Sequence, residues 1–376
     1  MTDLAADRPA EGSSSAAAWV RLHGSGPVAL ACALFLVRRG VPSRVIQLDS
    51  WTQDIPAILN QRILALSEGS LQLLDRVCGR PDGGRIRTVE VSMQGHLGRT
   101  LIRADELGVP ALGAVMRYPA VLASLRQAAL AHVWSSPPAQ DALGTDGILQ
   151  IHADGDPGPQ ARAREFDQLA LLAEVHAPAA PADAPGTAHE RFTPRGPLAL
   201  LPLPEPGRWA MVWCDQPEHA QRRLAANDTE LSRELEEAFG RRLGPLVVQG
   251  PRQAVPLVRK ARQQIALGTE IWIGNAAQSL HPVAGQGLNL GLRDAFELAE
   301  QLGECWRTGQ SSLGAVSAWG AMRRRDRDGL IGLTDLMASS FGWTAARPFQ
   351  SLFLGALDMV GPARRTLART LMFGLR

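Results

Sequence analysis

Two segments carry glycines and small polar residues at spacings that suit a large, flat ligand bearing phosphates. In Gly24-Ser25-Gly26-Pro27-Val28-Ala29 the first two positions of a G-x-G-x-x-G turn are glycine and the third is alanine. Glycine there lets the chain turn tightly and approach a pyrophosphate, and a small third residue lets the next helix sit against its strand. A helix starting near Pro27 aims free N–H groups and its positive dipole end at phosphate. An acceptor for ribose hydroxyls belongs about 20 residues further on. Counting from the helix end favours Gln47, but the strand pattern VIQLD ends at Asp49, and Asp49 is chosen because ribose is read from a strand's end.

The second segment runs from Gly274 to Asp294, GNAAQSLHPVAGQGLNLGLRD. A strand pattern (EIWIGNA) ends in a turn at Asn275, and Gly285, Gln286 and Gly287 lead into a helix at Leu288. Such small residues let the backbone lie flat on a ligand. The helix start directs the N–H groups of Leu288 and Asn289 at a carbonyl or anion. His281 titrates near neutrality and has the chemistry to relay a proton, and equally to fix its loop by hydrogen bonding. Asn275 has the same two readings, as ligand contact or turn former. No nucleophile with a paired base stands out, and none is needed where a cofactor performs the reaction.

The elements that must position these residues can be read from periodicity. Residues 18–23 form a strand pattern, the apolar run after the glycine turn is helical up to Gly40, and Arg44 to Asp49 is a second strand, a βαβ opening. Leu64 to Val77 reads as a helix, Arg85 to Met93 and Thr100 to Arg103 as strands, and Tyr118 to His132 as a helix with Pro119 in its first turn. After a Pro/Ala loop at Ala177 to Gly186, GPLALLPLPEPGRWAMVWC is a hairpin with Trp209 and Trp213 on one face, and that face is expected to be mainly core. Leu231 to Leu243 and Leu288 to Gln301 are helices, as is most of the chain beyond Gln301. Arg323 to Arg325 with Arg327 reads as a solvated helix face, and Asp294 equally as a partner of Arg293 or another local base or as a contact to the ligand.

Composition narrows the function class. With 45% hydrophobic and 20% charged residues and a net charge of +2, the chain is globular and has no basic field for nucleic acid. Cys32, Cys78, Cys214 and Cys305 show no metal-ligand or disulfide spacing, which suits a reducing compartment and gives no metal site. Residues 1–16 read as a disordered lead without a secretory signal, and no apolar run is long enough to span a bilayer. Apolar and basic residues mix near the C-terminus (Phe341, Trp343, Phe349, Arg347, Arg364, Arg365), a composition compatible with helices on the core or with peripheral membrane contact.

The segment 274–294 closely resembles the second FAD motif of the ubiquinone-biosynthesis hydroxylases, which belong to the group A aromatic monooxygenases shaped like para-hydroxybenzoate hydroxylase. QRILALSEGSLQLL (61–74), VPALGAVM (109–116), HERFTPRGPLALLPLP (189–204), Thr334-Asp335 and LMFG (371–374) come in that family's order. The resemblance implies non-covalent FAD, NAD(P)H as co-substrate, O2 captured as a flavin C4a-hydroperoxide, and a polyprenyl-phenol ring as the acceptor. Carried over by position, Gly24, Gly26, Ala29, Asp49, Arg62, Asp154, Asn275, Gly285, Gln286, Gly287, Leu288 and Asn289 are the cofactor-binding set, and His281 and Pro282 flank the reacting centre.

The expected architecture is α/β: a discontinuous Rossmann-like FAD-binding domain (17–79, 115–184, 263–376), an inserted mainly β substrate domain (80–114, 185–262) and a helical C-terminal region. A cytoplasmic location at the inner face of the membrane, within or beside a quinone-biosynthesis complex, suits a lipid-borne substrate. The stretch from His132 to Phe166 is shorter than the resemblance suggests. That leaves a second reading, a non-catalytic relative that binds the prenyl-phenol or acts as a scaffold, and a third, a hydroxylase of an unrelated small aromatic.

Overall fold

The structure, a computed structural model, describes residues 19–49, 51–52, 54–96, 99–134, 148–181, 186–280 and 286–340, together with residues 365, 366, 369 and 372. The expected lead at 1–16 and most of the C-terminal apolar and basic residues lie outside this range, as do His281, Pro282 and Gly285.

The first half contains β1 (Val20–His23), α1 (Pro27–Arg38), β2 (Ile46–Leu48), α2 (Ala57–Asn60), β3 (Ile63–Ser67), α3 (Glu68–Asp75), β4 (Gly84–Ile86), β5 (Thr88–Met93), β6 (Arg99–Arg103), β7 (Gly113–Arg117) and α4 (Tyr118–Ala129). Then come β8 (Leu149–His152), β9 (Arg162–His176), β10 (Thr187–Phe192), β11 (Pro197–Pro202), β12 (Arg208–Asp215), α5 (Pro217–Ala225) and α6 (Asp228–Phe239). The chain continues through β13 (Val247–Ala261), β14 (Ala266–Leu267), β15 (Glu270–Trp272), β16 (Gln278–Ser279), α7 (Gln286–Thr308) and α8 (Ser312–Ser340).

Three sheets organise these elements. The first has the order β14-β15-β8-β1-β2, with β15, β8, β1 and β2 parallel. α1 is buried from Pro27 to Leu36 apart from a partly covered Val28, because a helix apolar on all sides must be covered on all sides. The parallel sheet, α4 and α7 provide that cover. The second sheet has eight strands in the order β16-β13-β9-β12-β11-β10-β5-β6, with α6 on one face. A three-stranded sheet, β3-β7-β4, lies between them.

Three expectations are revised. Leu64 to Ser67 is strand rather than helix: the alternating run pairs antiparallel with β7, and Ser67 caps α3 by accepting from Ser70 N at 3.3 Å. β9, expected in the FAD-binding part, is the spine of the eight-stranded sheet, flanked by β12 and β13. Arg323 and Arg327 are buried, not solvated, because acids on α7 and α8 and the carbonyl of Arg262 receive them. Trp209, Met211 and Trp213 pack under α6 in the sheet's core.

Candidate active site

The β1–α1 turn is shaped by what its backbone must avoid. Gly24 has φ +107°, and a Cβ there would fall 2.6 Å from Ala153 O and 2.9 Å from Asp154 Cα, so only glycine fits against the end of β8. Its N–H donates to Asp49 Oδ2 at 2.9 Å. The structure thus brings Gly24, Asp49 and Asp154 together at the C-terminal ends of three parallel strands, where ligands bind in open α/β sheets. Gln47, the alternative acid position, is buried within β2.

His23, a bulky residue before the first glycine, is accommodated by stacking. Its ring lies 4.7 Å from that of His152, which stacks on Trp272 at 5.3 Å, and Arg262 covers the far face of Trp272 at 4.0 Å. His23 Nε2 is 2.9 Å from Gln150 Oε1, and His152 Nε2 is 2.6 Å from Glu270 Oε2. His152 gave no sequence signal, since nothing local ties it to residue 23.

Helix α1 begins at Gly26 with no side-chain cap and no acid in its first turn. Tyr118 Oη stands 3.6 Å from where a Cβ on Gly26 would lie. Burial pushes the Tyr118 phenol up, opposed by the nearby charges of Arg62 and Arg126. Arg62 itself is exposed, and its carbonyl accepts from Tyr118 N at 2.8 Å. Ala29 is wholly buried between α1 and its neighbours.

The second segment meets the first through glycines. A Cβ on Gly291 would lie 2.8 Å from Val28 Cγ2 and 2.9 Å from Gly274 Cα, so α7 approaches α1 at backbone distance. Gly274 has φ +59° and opens the turn that presents Asn275, whose Oδ1 would be 3.8 Å from a Cβ on Gly287. Asn289 braces β3: its Oδ1 accepts from Ser67 N at 2.8 Å and its Nδ2 donates to Ala65 O at 3.0 Å. Gln286 is buried and Gly287 and Leu288 are half-buried at the helix start.

Asp294 is the residue sequence reasoning undervalued. Wholly buried, it accepts from Gly274 N (3.3 Å), Gln278 Nε2 (2.9 Å) and Arg323 Nε (2.9 Å), and so ties the Asn275 turn to α7 and α8. Arg323 also donates to Asp326 at 2.7 Å and Glu297 at 3.1 Å. The pairing joins residues 29 apart on two helices, which helix-face periodicity cannot reveal.

These features fit FAD: a cradle of backbone that a Cβ would fill, an uncapped helix N-terminus for pyrophosphate, a carboxylate at the end of β2, and a second helix start beside Asn275. The FAD binding domain family matches residues 158–318. The ubiquinone hydroxylase UbiL of Rhodospirillum rubrum is 28% identical over 401 residues, covering 98% of this chain and 92% of that protein. The 3-demethoxyubiquinol 3-hydroxylase of Escherichia coli is 30% identical over 330 residues, covering 76% of this chain and 81% of that protein. The p-nitrophenol 4-monooxygenase PnpA of Pseudomonas putida shares the fold, with a TM-score of 0.69 and 17% identity over 96% of this chain and 99% of that one. The family match and these relatives together define an FAD-dependent aromatic monooxygenase. Within that class, the chain belongs to the family of the ubiquinone-biosynthesis hydroxylases.

Proposed function

We propose that this protein hydroxylates the aromatic ring of a polyprenyl-phenol intermediate of ubiquinone biosynthesis, using NAD(P)H and O2. The observation that supports this reading is the meeting of α1 and α7 at Gly274, which brings two helix starts together. Bound FAD supplies reduction by the nicotinamide and activation of oxygen. In this reading the first-turn amides of α1, with Gly24, Gly26 and Ala29, receive the pyrophosphate, and Asp49 the ribose. Arg62 and Asp154 flank the cofactor. Asn275, Gly285 and the main chain of Gln286, Gly287, Leu288 and Asn289 would hold the isoalloxazine, and the N–H groups at the start of α7 would stabilise negative charge on the reduced ring. His281 and Pro282, outside the described residues, are the groups expected at the reacting centre.

No helix among the described residues is long and apolar enough to cross a membrane. A prenylated substrate is then drawn from the cytoplasmic surface of the bilayer, through peripheral contact or a membrane-bound biosynthetic complex. Reconstitution with FAD followed by NADH or NADPH oxidation, with and without a prenylated phenol, tests the reading. Ring hydroxylation detected by mass spectrometry is the expected result. A protein that retains no flavin band would overturn it and favour the scaffold alternative, and preference for unprenylated phenols would favour the small-aromatic one.

A further inference from the structure

Strand β10 carries one carboxyl that the site described above does not use. His189 and Arg191 point to the α6 face of the eight-stranded sheet, where His189 lies edge-on to Phe239 and Arg191 Nε donates to Ala238 O at 2.9 Å. By strand alternation, Ala188, Glu190 and Phe192 point to the opposite face. Register there places Glu190 beside Val91 and Ala199, and continues through Val212 to Leu172. Glu190 is thus a carboxyl in an apolar row.

The neighbouring rows fix which way this face looks. Ala188, Leu201 and Ala210 pack with Val115 of β7 and with Met372. The Met372 carbonyl accepts from Ser67 Oγ, and Ser67 N donates to Asn289 at the start of α7. On the other side of Glu190, Phe192 pairs with Pro197 and Cys214 with Ala170, toward the end of the sheet where β13 pairs with β16. Glu190 therefore lies one row from Ala188, whose cluster reaches Met372 and, through Ser67, Asn289 at the start of α7.

Among the described residues no hydrogen bond or ion pair to the Glu190 carboxylate is seen, and burial alone pushes its pKa up to about 7. Other titratable groups nearby are committed. Glu174, on the same face, is held by Arg117 at 2.7 Å and Arg208 at 3.7 Å. The Cys214 thiol is driven up by burial, then by the charges of Glu190 and Asp215, and stays protonated at neutral pH. Asp215 is paired with Arg223 and Arg195, and on the α6 face Glu90 meets His189 and Arg242.

We propose that Glu190 meets the ring hydroxyl of the phenolic substrate and accepts its proton, an assignment that rests on the aromatic-hydroxylase reading above. The ring O–H bond breaks, the proton passes to a Glu190 carboxylate oxygen, and the bonding pair stays on the ring oxygen. Electron density then rises at the ring carbons ortho and para to it, where the new oxygen is received. The proton leaves to solvent with product. A base that titrates near the working pH is the most effective one.

The test uses the full chain loaded with FAD, as wild type and as Glu190→Gln, with 2-prenylphenol as probe. Calorimetric titration in two buffers of different ionisation enthalpy counts the protons released on binding. Wild-type affinity is expected to rise about thirtyfold between pH 5.5 and pH 8, with proton release below pH 7, and Glu190→Gln to show neither. Hydroxylation by the variant should fall about a hundredfold and lose its inflection near pH 7, while the flavin spectrum is unchanged. Wild-type binding that is independent of pH, no binding at all, or the same pH slope in the variant would overturn the assignment. Glu190-dependent binding without hydroxylation would retain Glu190 as the hydroxyl-binding group while sinking the proposed substrate class.

Discussion

Gly24 and Glu190 mark two ways in which single residues would serve the proposed site. Gly24 carries a positive φ and a backbone contact that leaves no room for a Cβ. Gly24→Ala should therefore weaken FAD binding at least tenfold and lower stability by about 1–3 kcal/mol, read by flavin fluorescence titration and thermal melts. Glu190 carries a charge that the fold disfavours. Its folded pKa of about 7 lies above the ordinary 4.5, so the folded state binds the extra proton between those values. Its contribution to stability is full below about pH 4.5 and is lost as pH rises through 7. Glu190→Gln should leave urea unfolding unchanged at pH 4 and raise stability by about 2–3 kcal/mol at pH 8. Equal effects at both pH values would show that the carboxyl is solvated.

At the scale of elements, the contact between α1 and α7 sets both helix starts at once. Gly291 permits it, since any larger residue meets Val28 and Gly274. Gly291→Ala should keep the circular dichroism spectrum of the wild type yet reduce FAD affinity tenfold or more by spreading the helices. The α7–α8 contact is held by ions instead. Arg323 and Asp294 are both buried, and removing one partner strands the other's charge in the interior. Arg323→Met is expected to cost about 3–5 kcal/mol in denaturant unfolding. A smaller loss when Asp294→Leu is added would confirm that the stranded carboxylate, and not the lost side-chain volume, is the cause.

At the scale of the whole molecule, the proposed cofactor site draws on stretches of chain far apart in sequence: the β1–α1 turn, the ends of β2 and β8, and the turn at Asn275 with the start of α7. A ligand that binds only when these have assembled stabilises the folded state by mass action. The melting temperature should rise with FAD concentration, with about 2.7 kcal/mol gained at a hundredfold excess over Kd, and fall when flavin is stripped. A melt insensitive to FAD would mean that the turn and the α7 start do not act on one ligand.

The local sequence by itself determined the glycine turn, the helix after it, the β11–β12 hairpin, the turn at Gly274 and the helix that follows as α7, because each depends on neighbours within a helical turn or a strand repeat. Ser67 lies at the limit of that reach: the apolar run around it suits helix or strand until β7 supplies a pairing partner. The assignment of β9 to the eight-stranded sheet needed β12 and β13, whose partner residues lie tens of positions away. The same holds for charge. Arg323 looks solvated on its own helix, and only Asp294 at its side makes its burial tolerable. His23 looks too large for its place until His152 stacks on it. Glu190 sits within a recognisable motif, yet its role depends on which sheet face turns toward α7. That is decided by the packing of Ala188, Val115 and Met372, because desolvation is a property of the assembled surroundings and not of the chain's local pattern.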